Sequence, residues 1–191
     1  MSSRFDTPYP APSRSQAPLI AAALAGAAVA LAIGTYGRVH TPTGGKITTF
    51  GFPDVLSMKA WLATGVFVLA VAQLTSALAM WGHLPGVHTR PSWLPFVHRW
   101  SGTAAFVLSL PVAYHCLWAL GFQDTDARVL AHSLVGCLFY GAFATKLLVL
   151  RSGHLPRMTL PIVGGLLVTC LTAMWLTSSL WFFTHVGFPG V

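Results

Sequence analysis

Glutamate is missing from this chain, and aspartate occurs only at Asp6, Asp54, Asp124 and Asp126. None of the four lies inside an apolar stretch, so no pair of carboxylates is available there for general acid–base hydrolysis. Ser133 beside His132 has no third triad member at its depth. Cysteine is also scarce. Cys116, Cys137 and Cys170 all fall within apolar stretches, and no CxxC or CxxCH occurs. That spacing excludes a zinc ribbon, a disulfide framework and covalent attachment of c-type haem. The one glycine-rich element near a lysine, Gly44-Gly45-Lys46, continues with Ile47, where a phosphate-binding loop needs Ser or Thr.

Charge in general is sparse. Charged residues make up 8% of the chain against 54% hydrophobic, and the mean hydropathy is +0.67. A water-soluble domain does not have this composition. The net charge of +7 comes from Lys and Arg scattered between apolar segments, where they act as topology signals and give no footprint for nucleic acid.

What is present is a series of apolar segments long enough to cross a bilayer. The expected architecture is an all-α integral membrane protein, a bundle of five transmembrane helices at about 17–36, 60–81, 98–121, 128–150 and 160–183. A disordered cytoplasmic tail, 1–16, precedes it, and a short external tail, 185–191, follows. The first segment is too long for the apolar core of a signal peptide and reads as a retained anchor. Its Ala22, Gly26 and Ala30, four apart, suggest close helix contact. Residues 82–97 hold three prolines and read as an interfacial loop, and KITTFGF (46–52) reads as a short strand or a surface segment.

Counting cations on alternate sides orients the bundle. Arg4, Arg14, Arg90, Arg99, Lys146, Arg151 and Arg157 fall on one side; Arg38, Lys46, Lys59 and Arg128 fall on the other. The first set marks the cytoplasmic face and places the N-terminus inside and the C-terminus outside, in the cell membrane.

Chemistry concentrates between His98 and His154. Two apolar segments flank the polar break Gln123–Arg128, the form of two antiparallel helices lying side by side. His115 lies about seven residues below the outer boundary and His132 about four, roughly 10 Å and 6 Å at the rise of a helix. Two histidines at similar depth in hydrocarbon need partners, and axial ligation of one haem iron would satisfy both. The alternative is that each bonds a carbonyl or a hydroxyl across the bundle. His98-Arg-Trp-Ser-Gly102 and His132-Ser-Leu-Val-Gly136 repeat a His-x-x-x-Gly pattern, in which glycine either leaves room for a planar group or allows close helix packing.

The segments HRWSGTAAF and HSLVG resemble the histidine-led helix starts of the cytochrome b561 and ferric-reductase-like membrane cytochromes, over residues 98–150. The whole chain also resembles a family of small, uncharacterised bacterial integral membrane proteins. The cytochrome resemblance implies b-type haem, with His98 and His132 as ligands by motif; depth adds His115. A second, inner haem would pair His98 with His154, His83 or His88. The helical angle between His98 and His115 favours one haem over two.

The function expected is electron transport between a membrane or cytoplasmic donor, such as a quinol, and a partner redox protein. Two other classes stay open. One is an accessory or assembly subunit of a larger membrane complex; the other is a metal-handling or transport protein using His83, His88 and His98. Lys146 is expected to snorkel to the cytoplasmic face.

Overall fold

The structure is a computed structural model and describes residues 16–45, 48–87, 91–152 and 156–188. Helices dominate the described residues, and no strand occurs among them. In chain order they are α1 (Ala17–Val39), α2 (Val55–Trp81), α3 (Leu94–Tyr114), α4 (Ala127–Arg151), α5 (Thr159–Trp175) and the short α6 (Trp181–His185). α3 continues into a π-helical turn, His115–Leu120, and a second π turn, Leu176–Leu180, joins α5 to α6. Counting each π turn with its helix, five helices are long and apolar enough to cross a membrane.

Local chemistry sets several boundaries that hydropathy misplaces. α2 begins at Val55 rather than near residue 60, because the Asp54 side chain accepts hydrogen bonds from the Ser57 backbone N–H at 2.9 Å and from the Ser57 hydroxyl. A carboxylate at this position satisfies a donor that the first helical turn leaves unpaired. α3 begins at Leu94, so the expected loop over 82–97 is too long. Pro95 sits in the first turn, where its missing N–H costs no helical bond. The expected strand at 46–52 is not observed in its described part, residues 48–52; Lys46 and Ile47 lie outside the described residues.

The Asp54 cap has a measurable pH signature. Its bonds to Ser57 hold the carboxyl below the usual carboxylate range. A carboxyl with a depressed folded-state value stabilises the fold above its unfolded value, and that contribution is lost as pH falls through the folded value. Asp54→Ala is expected to lower stability by about 0.5–2 kcal/mol near neutral pH. The difference from the native protein should shrink in acid, as read by thermal unfolding in detergent at a series of pH values. A deficit that stays constant down to strong acid would remove the ionised cap from the account.

The helices alternate in direction. α2 packs along α3, with Gly65 beside Leu108 and Gly102 beside Gln73. α4 packs on α5 and, on its other side, on α1. α2 and α5 close a second contact, where Phe67 stacks on Trp175 at 4.7 Å and the Trp175 indole N–H donates to Thr64 Oγ1 at 3.0 Å. Four helices, α2 to α5, thus form a ring, with α1 outside it against α4. The hairpin partners expected to lie side by side, α3 and α4, meet chiefly through bulky side chains: Phe106 stacks on Phe143 at 4.4 Å, and the Ser109 and Tyr140 hydroxyls are 3.1 Å apart. Toward the α3–α4 connection the two helices are held apart by a cavity.

The α1–α4 contact is tight because both helices present small residues. A β-carbon on Gly26 would stand 2.5 Å from the Gly141 carbonyl oxygen, and one on Gly141 would stand 2.6 Å from that of Gly26. The Ala22-Gly26-Ala30 spacing expected to mark close contact runs through this seam. At its far end the Phe122 N–H donates to Gly37 O at 2.8 Å. The loop after α1 then covers the end of the first π turn, with Thr43 N donating to Trp118 O and Gly44 N to Ala119 O.

Candidate functional site

The cavity between α2, α3, α4 and α5 encloses about 640 Å³, a volume suited to a cofactor or another small molecule. On α4 its wall runs from Arg128 through His132 and Gly136 to Tyr140, every fourth residue, which is one helix face about 18 Å long. Most of the lining is apolar, including Val66, Val112, Leu171 and Phe139. Most of the polar groups gather at the Arg128 end, Lys59 from α2, Cys116 from the first π turn, His132 and Ser133 from α4, and Thr177 and Ser178 from the second π turn, while the mutually bonded Ser109 and Tyr140 hydroxyls lie at the other. Counted from the helix ends, Lys59, Cys116 and His132 lie at similar depth, roughly 6–8 Å.

Both π turns border this end of the cavity. A π turn pairs each N–H with the carbonyl five residues back, and such turns occur frequently at functional sites. Here Pro111, inside α3, lacks an N–H to donate, and the wider winding begins four residues later at His115. Each π turn also carries one buried polar atom with no hydrogen-bond partner among the described residues, His115 Nε2 in the first and Ser179 Oγ in the second. Leaving such an atom unpaired costs about 1–3 kcal/mol. The cost falls in the two segments next to the cavity.

The orientation of His132 follows from its hydrogen bonds. Thr177 Oγ1 donates to Ala173 O at 2.7 Å, so its proton is committed. Facing His132 Nδ1 at 3.1 Å it therefore accepts, and Nδ1 carries the proton. Nε2 is left with its lone pair, the form in which imidazole binds a metal. The Cys116 thiol lies within electrostatic reach of both His132 and Lys59. Arg128 is fixed by donation to Thr177 O at 2.7 Å and by stacking 4.1 Å over the Trp181 ring, with Asp126 3.8 Å away.

The other histidines have different surroundings. His115 is 2% exposed, and its Nδ1–H donates to Pro111 O at 2.8 Å. Its Nε2 likewise keeps a lone pair, but His115 is not on the cavity wall, so the structure does not bring it onto one surface with His132. His98 donates from Nδ1 to Ser76 Oγ at 2.8 Å, since that hydroxyl is itself committed to Ala72 O. The His98 carbonyl accepts from the Gln73 amide. The Nδ1 bond is of the same kind as that of His132; what differs is that His98 is not among the residues lining the cavity. His154 and His88 lie outside the described residues; His83 is exposed. Among the described residues no three His, Cys, Asp or Glu side chains come together as a metal-ion cage.

The two His-x-x-x-Gly copies separate on the same grounds. A β-carbon on Gly102 would meet the Gln73 amide at 3.0–3.2 Å, so that glycine serves helix packing. A β-carbon on Gly136 would meet only Met174 Sδ, at an ordinary 3.7 Å, and Gly136 lines the cavity.

Lys59 was not among the expected site residues, because hydropathy starts the second helix one residue after it. The Asp54-x-x-Ser57 spacing is the signal that would have included it, since a capping aspartate at 54 marks a helix start at Val55, four residues before Lys59. Cys116, Thr177 and Met174 carried no comparable signal.

Among the described residues the protein is a small helical bundle, with four membrane-length helices around a cavity that is polar at one end and a fifth packed outside them. The chain belongs to a family of unknown function, DUF6529, which it matches over residues 19–190. No curated protein and no solved structure matches it.

Proposed function

We propose that the protein is a multi-pass membrane protein that binds b-type haem in the α2–α5 cavity and passes electrons through it. Membrane insertion is supported by the outer faces of the helices. Leu24, Leu31, Val68, Val107, Leu150 and Ile162 are all more than half exposed. In water each would forgo about 1.5–3 kcal/mol of burial, whereas hydrocarbon carries no such cost. The cation distribution supports a cytoplasmic N-terminus and an external C-terminus, which puts the Arg128 end of the cavity toward the outer face of the cell membrane.

The observation that carries the haem reading is His132, held on the wall of a largely apolar cavity with Nδ1–H bonded to Thr177 and only the Cys116 thiol, a weak hydrogen-bonding group, as a further polar neighbour. A hydrogen bond donated by the far ring nitrogen orients a metal-ligating histidine and raises its basicity. The residues present fit haem in three respects: one oriented imidazole, an apolar slot for the macrocycle, and cations at one end for its carboxylates. Haem bound there would supply a one-electron centre. The chain's own residues would fix the iron through His132, exclude water with the apolar wall, and leave the Gly136 face open. The resemblance of HSLVG to the cytochrome b561 helix starts supports the same reading.

A reduced-minus-oxidised absorbance spectrum of the protein, purified in detergent from cells supplied with haem, tests it. A b-type signal at near one haem per chain is the expected result. A colourless protein under those conditions would remove the cytochrome reading and favour an accessory membrane subunit.

A further inference from the structure

The Arg128 end of the cavity presents two cations, Lys59 and Arg128, and one carboxylate, Asp126, beside them. Lys59 lines the wall, yet it forms no ion pair with a described carboxylate. Asp54, five residues before it on the same helix, is engaged through both oxygens with Ser57. Asp124 pairs with Arg38 at 2.9 Å. Asp126 stands 3.8 Å from Arg128, a loose contact at an exposed position. The group that Lys59 faces on the wall is the Cys116 thiol, which is within its hydrogen-bonding reach and is a weak partner compared with a carboxylate. A lysine partly withdrawn from water in an apolar wall has lost hydration that no carboxylate replaces.

From this arrangement we propose that Lys59 and Arg128 form an anion subsite at the rim of the cavity, holding the carboxylate end of an amphipathic ligand whose apolar body fills the slot toward Tyr140. Three features make the subsite specific. Arg128 is already positioned by Thr177 O and Trp181, so little side-chain freedom is lost when it donates to a carboxylate. Lys59 reaches the same end from the opposite helix, which places one cation on each side of the slot. The slot itself carries no described acidic side chain, so a ligand's carboxylates have one favourable place and its apolar body another. The proposal rests on the reading of the cavity as a cofactor site; with a porphyrin bound, the propionates would lie at the rim.

The test compares ligands that differ only in charge at that end. Haemin and haemin dimethyl ester are titrated into the detergent-solubilised full chain and into Lys59→Gln, with quenching of Trp175 and Trp181, both on the cavity wall, as the readout. Native protein is expected to prefer the free acid by at least about tenfold, the size of one charge-assisted hydrogen bond. Lys59→Gln should lose most of that preference while still binding the ester as native protein does. Equal binding of acid and ester by native protein would overturn the subsite. Should native protein bind neither porphyrin, the haem reading fails, and cis-parinaric acid against its methyl ester decides the subsite separately. An acid preference reduced in Lys59→Gln would uphold it, and no acid preference would reject it. Lys59→Gln is the primary variant because Arg128 also joins α4 to the second π turn, and its loss could disturb the fold.

Discussion

A His132→Ala variant is expected to purify without the b-type absorbance of the native protein, with its helical content and thermal midpoint nearly unchanged. The imidazole touches the fold through the hydrogen bond from Nδ1 to Thr177 Oγ1 and a weak contact with the Cys116 thiol, and the Thr177 hydroxyl keeps its own bond to Ala173 O when the ring is removed. Loss of one such bond is worth about 0.5–1.5 kcal/mol, whereas loss of an axial ligand removes the bond that fixes the cofactor. His115→Ala provides the contrast. His115 is buried, hydrogen-bonded to its own helix and off the cavity wall, so this variant is expected to keep haem and to lose stability by cavity formation. Haem loss in His115→Ala with retention in His132→Ala would reverse the assignment of the ligand.

Gly141→Ala is expected to cost stability by overpacking the seam between α1 and α4. The new β-carbon would stand 2.6 Å from Gly26 O and 2.9 Å from Ala30 Cβ. The first of these is backbone and cannot rotate away, so α1 must move off α4 as a body. Overpacking of this kind costs about 1–3 kcal/mol, and more where both partners are rigid. Gly164→Ala is the matched control: nothing lies within 4 Å of its β-carbon position. It is expected to be neutral or to stabilise by up to about 1 kcal/mol, the difference in helix propensity. Thermal unfolding in detergent, followed by the reactivity of Cys137 near the α1 seam, would compare the two. An unchanged midpoint for Gly141→Ala would mean that α1 is not bound to α4 as described.

The five helices were legible because long apolar runs are what a hydropathy reading detects, and their number and order stand as read. Their ends were less legible. Asp54 and Pro95 act through capping and first-turn geometry, and neither changes average hydropathy. Of the expected ligands, depth marked His115 and His132 alike and motif marked His98 and His132; the structure gives only His132 of these three a place on the cavity wall. His98 shares its motif but bonds Ser76, because Gln73 fills the space beside Gly102. No periodicity in one helix could show that, since it depends on which helix lies opposite. The cavity was illegible for the same reason: it exists because Phe106, Phe143 and Tyr140 hold α3 and α4 apart, a contact between residues more than thirty positions distant in the chain.

The two π turns have a consequence for how this site can change over time. A π turn accommodates one residue more than the α-helical turn it replaces, so each behaves as a single inserted residue tolerated without a break in the helix. Everything beyond the insertion is rotated by about 100°, one residue's share of a helical turn. In α3 this determines which side chains after His115 reach the cavity, and in the last helix it determines that Thr177 meets His132. Deleting one residue from either turn would return the helix to regular winding and swing a different set of side chains onto the wall, with no substitution at any of them. Homologues that differ in length by one residue at these two places would therefore keep the same bundle and present different chemistry to whatever the cavity holds.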